Sequence, residues 1–111
     1  MKLTIDFGDP VFAREDVLQI HPIDLNDFYT GASDFDKNNL FFMLLTSLHH
    51  YEDVGDKVRA AHLSFLAANY LFIALTPPGS FQLALHYIKK AIALNDTDEY
   101  RHWLTLIEKG N

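Results

Sequence analysis

The chain has 111 residues, no cysteine and a formal charge of −6, which sets one domain's worth of core and rules out disulfides and thiolate metal sites. Its acidity disfavours nucleic acid and anionic membranes as partners and mildly favours a basic protein. With 49% apolar and 14% aromatic residues it is too rich in core material for intrinsic disorder.

Met1, Leu3, Ile5 and Phe7 alternate with polar neighbours, the period-two pattern of a half-buried strand. Polar residues and Gly8 follow at once, so the N-terminus does not read as a secretory signal. Beyond Gly8 two readings stay open. Asp9-Pro10 resembles a helix start, whereas Val17-Leu18-Gln19-Ile20 resembles a second strand pairing with the first. His21-Pro22 favours extended backbone, and Thr30–Ser33 reads as loop. Residues 1–36 are therefore expected to be extended or irregular.

From about Asp36 the period becomes helical. Phe41, Leu44, Leu45, Leu48 and Tyr51 form one stripe, with Asp34 or Asp36 as the cap and Gly55 as the stop. A second helix is expected from about Asp56 to Leu75. Its stretch Ala60–Leu75 is apolar almost all round, broken by His62, Ser64 and Asn69, and falls short of a membrane span. Thr76-Pro77-Pro78-Gly79 stops it. A third helix follows, with Ser80 as cap and the stripe Phe81, Ala84, Leu85, Ile88, Ala91 and Ile92. The fourth, with Asp96 as cap and Glu99 three residues on, carries Tyr100, Trp103, Leu104 and Ile107 and ends at Gly110. The expected fold is mainly α, a single domain over 1–111, with four helices in residues 37–110 arranged as antiparallel hairpins.

Residues 65–98 resemble a tetratricopeptide repeat, a 34-residue helix–turn–helix unit. Gly79 falls in the turn and Phe81 follows it; Ala84 and Ala91 sit at the small crossing positions, with Tyr87 and Ile88 between them. The chain departs from the pattern at Asp96, where the family commonly has proline, and at Phe72, a position usually small. No second repeat is visible upstream, and the fourth helix would serve as a cap. The resemblance implies a scaffold that binds a protein or peptide.

The chemistry-bearing residues are few. His49-His50 and Glu99-x-x-His102 offer metal-ligand spacing, but neighbouring histidines diverge by about 100° on a helix, and a di-iron bundle needs two such Glu-x-x-His motifs. A solvated face explains both better. No glycine-rich phosphate loop or nucleophile elbow is present. His62 and Asn69 lie two turns apart on the most apolar helix, as partner contacts or as satisfied core groups.

These residues point to a non-enzymatic protein-interaction module of the cytoplasm, without cofactor, acting alone or as a homodimer. Val58, His62, Phe65, Asn69 and Ile73 are the expected contact positions. The alternatives are a small acidic inhibitor or immunity-type protein blocking one enzyme, and a metal-binding helical enzyme. The N-terminal strand leaves its backbone unpaired unless it meets residues 17–20, a second copy, or a partner.

Overall fold

A computed structural model describes residues 1–110, and among these it contains six α-helices and no strand. They are α1 (Arg14–Val17), α2 (Pro22–Gly31), α3 (Asp34–Asp53), α4 (Lys57–Asn69), α5 (Ser80–Leu94) and α6 (Asp98–Lys109). The mainly α expectation holds, and the four long helical segments fall where their stripes place them.

Helix α4 lies at the centre. Residues Ala60 to Phe72 are buried without interruption, because α3 covers one side of the helix and α5 the other. Phe41 meets Tyr87 edge-on at 6.4 Å and Lys90 pairs with Glu52 at 2.9 Å. Sequence position therefore rises together along α3 and α5, and α4 runs the opposite way between them. Short connections enforce this reversal. Helix α6 packs on α5, and its Tyr100 and Trp103 reach Phe65 of α4 at ring distances of 5.1 and 6.3 Å. By length and composition Lys57–Leu75 could cross a membrane, yet most of it is buried inside the fold.

The end of α4 is unusual. Residues Tyr70–Leu75 continue it as a π-helical turn, closed by the Thr76 N–H donating to the Leu71 carbonyl at 3.1 Å. Thr76 itself is left-handed, at φ 44° and ψ 48°. Pro77 and Pro78 cannot extend a helix, so the chain reverses through one strained residue instead.

Several local expectations are corrected. Residues 1–36 are not wholly irregular, since α2 occupies Pro22–Gly31. His21 is extended, as a residue before proline should be. It is extended as the cap of a helix whose first position is that proline, and its N–H donates to Asp24 Oδ2 at 2.8 Å. Val17–Ile20 is not a strand: α1 ends there, and Val17 and Ile20 are buried in the core. Helix α3 is capped by Ser33, whose hydroxyl accepts the Asp36 N–H at 3.2 Å, and not by Asp34 or Asp36. Helix α6 is capped by Thr97, which accepts the Tyr100 N–H at 3.1 Å. Asp96 is engaged elsewhere, held by the Arg101 guanidinium at 2.7 and 2.6 Å. Gly79, left-handed at φ 82°, takes the place expected of Ser80.

Residues 2–6 keep their alternation without a sheet. Leu3 is buried and Ile5 packs against the core, while Lys2, Thr4 and Asp6 face outward. Side chains of α3 and α4 hold the segment where a neighbouring strand would otherwise do so. Ser47 Oγ accepts the Phe12 N–H at 2.9 Å, and the Tyr51 hydroxyl donates to the Phe12 carbonyl at 2.6 Å. Arg59 Nε donates to the Arg14 carbonyl at 2.8 Å. Ser47 and Tyr51 stand four apart on one helical face, so together they grip both polar groups of a single residue.

Candidate functional site

The five expected contact positions divide. Val58 and Ile73 are exposed, whereas His62, Phe65 and Asn69 lie inside the core. The structure therefore does not bring the five to one accessible face. His62 Nε2 lies 2.7 Å from the Ile20 carbonyl, which ties the α1–α2 connection to α4. Burial pushes the His62 pKa below its ordinary value against the opposing pull of that bond and of Glu99. The imidazole is thus neutral at physiological pH, with Nε2–H as the donor. Phe65 is 1% exposed and forms the hub of an aromatic group with His62, Tyr100 and Trp103. Burial raises the Tyr100 hydroxyl to about 12.

The other polar groups in the helices have similar duties. Ser64 Oγ donates to the Tyr87 carbonyl at 2.6 Å, binding α4 to α5. The Tyr70 hydroxyl donates to the Lys37 carbonyl, and burial raises its pKa. Among the described residues no buried side-chain nitrogen or oxygen lacks a partner. Nor does any group of three or more His, Asp or Glu there come close enough to hold a metal. His49 instead faces Glu52 at 3.8 Å on the surface.

What the fold does assemble is an acidic face. Eight of the fifteen acidic side chains and three of the nine basic ones lie in residues 1–37, so this third carries −5 of the formal −6. Two depressions flank the extended N-terminal segment. The larger, of about 610 Å3, lies between Met1–Leu3, α2 and the turn into α3; Asp24, Asp27 and Asp36 line it, with Phe28 and Leu3 as apolar surface. The smaller, of about 170 Å3, has Asp6, Asp9 and Asp16 around Phe12 and Met43. The segment Met1–Leu3 borders both.

The carboxylates differ in state. Asp24 is buried and fully engaged: Oδ1 takes the Met1 ammonium at 2.7 Å and Oδ2 the His21 N–H. Burial pushes its pKa up, but these two bonds outweigh it and hold the carboxyl below the usual range. Asp24 thus positions the segment. Asp27 and Asp36 have no cationic partner among the described residues, and Lys2 is the free cation at the rim. Large apolar side chains stand near this face: Phe7 is 77% exposed and Phe35, next to Asp36, is 75% exposed.

Sequence reasoning did not single out Asp27, Phe28 or the Ser47–Tyr51 pair. The uneven distribution of charge along the chain was a readable signal for Asp27 alone. Nothing in the local pattern marked Ser47, since its partner lies thirty-five residues away. No protein-family model, curated protein or solved structure matches the chain.

Proposed function

We propose that this chain is a non-enzymatic protein-interaction module that meets a basic partner through its acidic N-terminal face. The observation that carries the reading is the gathering of six carboxylates around two neighbouring depressions, near exposed Phe7 and Phe35. Charge of one sign in a concave surface focuses the field and speeds encounter with an oppositely charged partner. Exposed aromatic side chains supply the apolar anchors that interfaces favour.

The tetratricopeptide likeness belongs to the same proposal. Ala84 and Ala91 are fully buried where α5 crosses α4, which supports a closely packed hairpin of that kind. One hairpin offers no long concave groove, however, and here α3 and α6 cover its sides. The hairpin serves as the support of the module, and the acidic face as its contact surface. The same charge distribution favours a second reading, a small acidic inhibitor occupying the basic active site of one enzyme. Absence of cysteine fits a reducing compartment such as the cytoplasm.

The test is to recover the protein partner by affinity enrichment from the native host, then measure association of the purified pair against salt. The rate constant should fall at least tenfold, by the order of magnitude of electrostatic steering, between about 20 mM and 500 mM salt. A partner whose association rate ignores salt would refute the acidic-face reading. Loss of the partner's catalytic activity on binding would select the inhibitor reading.

A further inference from the structure

The N-terminal segment combines three properties that together specify an occupant. First, residues 1–6 run without helix or turn, with Leu3 and Ile5 inward and Lys2, Thr4 and Asp6 outward as in an extended chain. Among the described residues no backbone N–H or carbonyl from Lys2 to Phe7 takes part in a hydrogen bond. Extended backbone with free donors and acceptors is a template for a further strand. Second, the segment is held in register from below. Leu3 and Ile5 pack into the core, and Ser47 and Tyr51 fix the chain at Phe12. The template is therefore organised before any partner arrives, which lowers the ordering cost of binding. Third, the depressions bordering it carry six carboxylates against two cations, Lys2 and the Met1 ammonium, with Phe28 in the lining of the larger and Phe12 in that of the smaller.

We infer that an extended basic segment of a partner protein docks beside Lys2–Phe7 as an added strand. Its side chains on the face toward the larger depression are cationic and reach Asp27 and Asp36 at the Met1–Leu3 end of the segment, and those on the opposite face are apolar. This rests on the protein-interaction reading above and names its partner's chemistry. A second copy of this chain is the poorer occupant, because pairing the same edge across a two-fold axis would bring two acidic faces together. A diffuse attraction of any cation to an acidic protein is the bland competitor, and the test separates it.

The probe is a fluorescein-labelled octapeptide of alternating Arg and Val, titrated with the full chain by fluorescence anisotropy. A second peptide of the same sequence carries N-methyl groups on alternate amides, which keeps its charge and removes one edge of hydrogen bonds. Three variants accompany the wild type. Asp27→Asn with Asp36→Asn removes the groove charge. Asp98→Asn with Glu108→Gln removes the same charge from exposed positions on α6. Gly31→Trp fills the larger cavity: Gly31 lines it, a Cβ there meets nothing within 4 Å, and its backbone carries no positive φ.

The groove pair and Gly31→Trp should each weaken the unmethylated peptide about tenfold or more, and the α6 pair less than about twofold. N-methylation should cost about tenfold or more on the wild type, and the peptide should slow amide exchange within Lys2–Phe7. Equal losses from the two charge pairs would overturn the inference in favour of diffuse charge. Equal binding of the methylated peptide would overturn strand addition, and so would dimerisation of the chain through this edge or no binding at about 1 mM. A native partner that binds one to one but ignores the groove pair and Gly31→Trp would remove the groove and leave the interaction reading standing.

Discussion

Removing the Ser47 hydroxyl tests whether helix side chains replace a sheet in holding the N-terminal segment. Ser47 is fully buried on α3 and accepts the Phe12 N–H at 2.9 Å across thirty-five residues of sequence. In Ser47→Ala that N–H loses its acceptor in a partly buried site, which costs about 1–3 kcal/mol. Alanine returns about 0.5 kcal/mol through its better helix propensity. The expected net loss is about 0.5–2.5 kcal/mol, or about 2–12 °C in Tm for a chain of this size. Tyr51→Phe, which removes the donor to the Phe12 carbonyl, should cost about 1 kcal/mol. The double variant should lose less than the sum by about 0.5 kcal/mol or more, because both groups grip one residue. Urea unfolding followed by circular dichroism gives the free energies, and native-state exchange of the Phe12 amide reports the local opening. An unchanged urea midpoint in Ser47→Ala, together with unchanged Phe12 exchange, would show that the segment is held by Leu3 and Ile5 burial alone.

Other consequences separate core from surface and fix the response to pH. Phe65→Ala should destabilise by about 3–5 kcal/mol, since Phe65 touches His62, Tyr100 and Trp103; Val58→Ala and Ile73→Ala, both exposed, should stay within about 0.5 kcal/mol of wild type. For His62 the folded pKa lies below the ordinary value, so the unfolded chain binds its proton first. Stability should then fall as pH drops below about 6.5, by at most about 1.4 kcal/mol per pH unit, and urea midpoints of His62→Gln should lack that slope. Asp24 and Asp56 act in a lower window. Burial raises both, but the Met1 ammonium and His21 N–H at Asp24, and Arg59 at Asp56, hold them below the usual range. Their contribution is present above about pH 4 and lost as pH falls through their folded values. Thr76→Asn should raise stability by about 1 kcal/mol by easing the left-handed turn at φ 44°; a lower Tm would mean that the threonine side chain supports the turn.

The helical half of the protein was legible because its information is local. A stripe such as Ala84, Ile88 and Ala91 buries one face of α5 whatever lies opposite, and Gly55 and the two prolines after Thr76 mark ends that no packing can move. Cap positions were less legible. Ser33, Thr97 and Gly79 each stand next to another competent residue, and the choice depends on which side chain is otherwise engaged, as Asp96 is by Arg101. The N-terminal alternation told that Leu3 and Ile5 face inward but not that Met1 and Phe7 stay exposed, and period two is a statement about extended backbone and not about a sheet. Tertiary structure alone decided that Ser47 and Tyr51 would anchor the segment at Phe12, while the backbone of Lys2–Phe7 stays unpaired. The polar breaks in α4 show the same limit: sequence marked His62 as exceptional, while its partner, the Ile20 carbonyl forty-two residues away, appears only when the chain is folded. The acidic face divides along this line too, since composition fixed the charge and only the docking of α2 beside Met1–Leu3 made it concave.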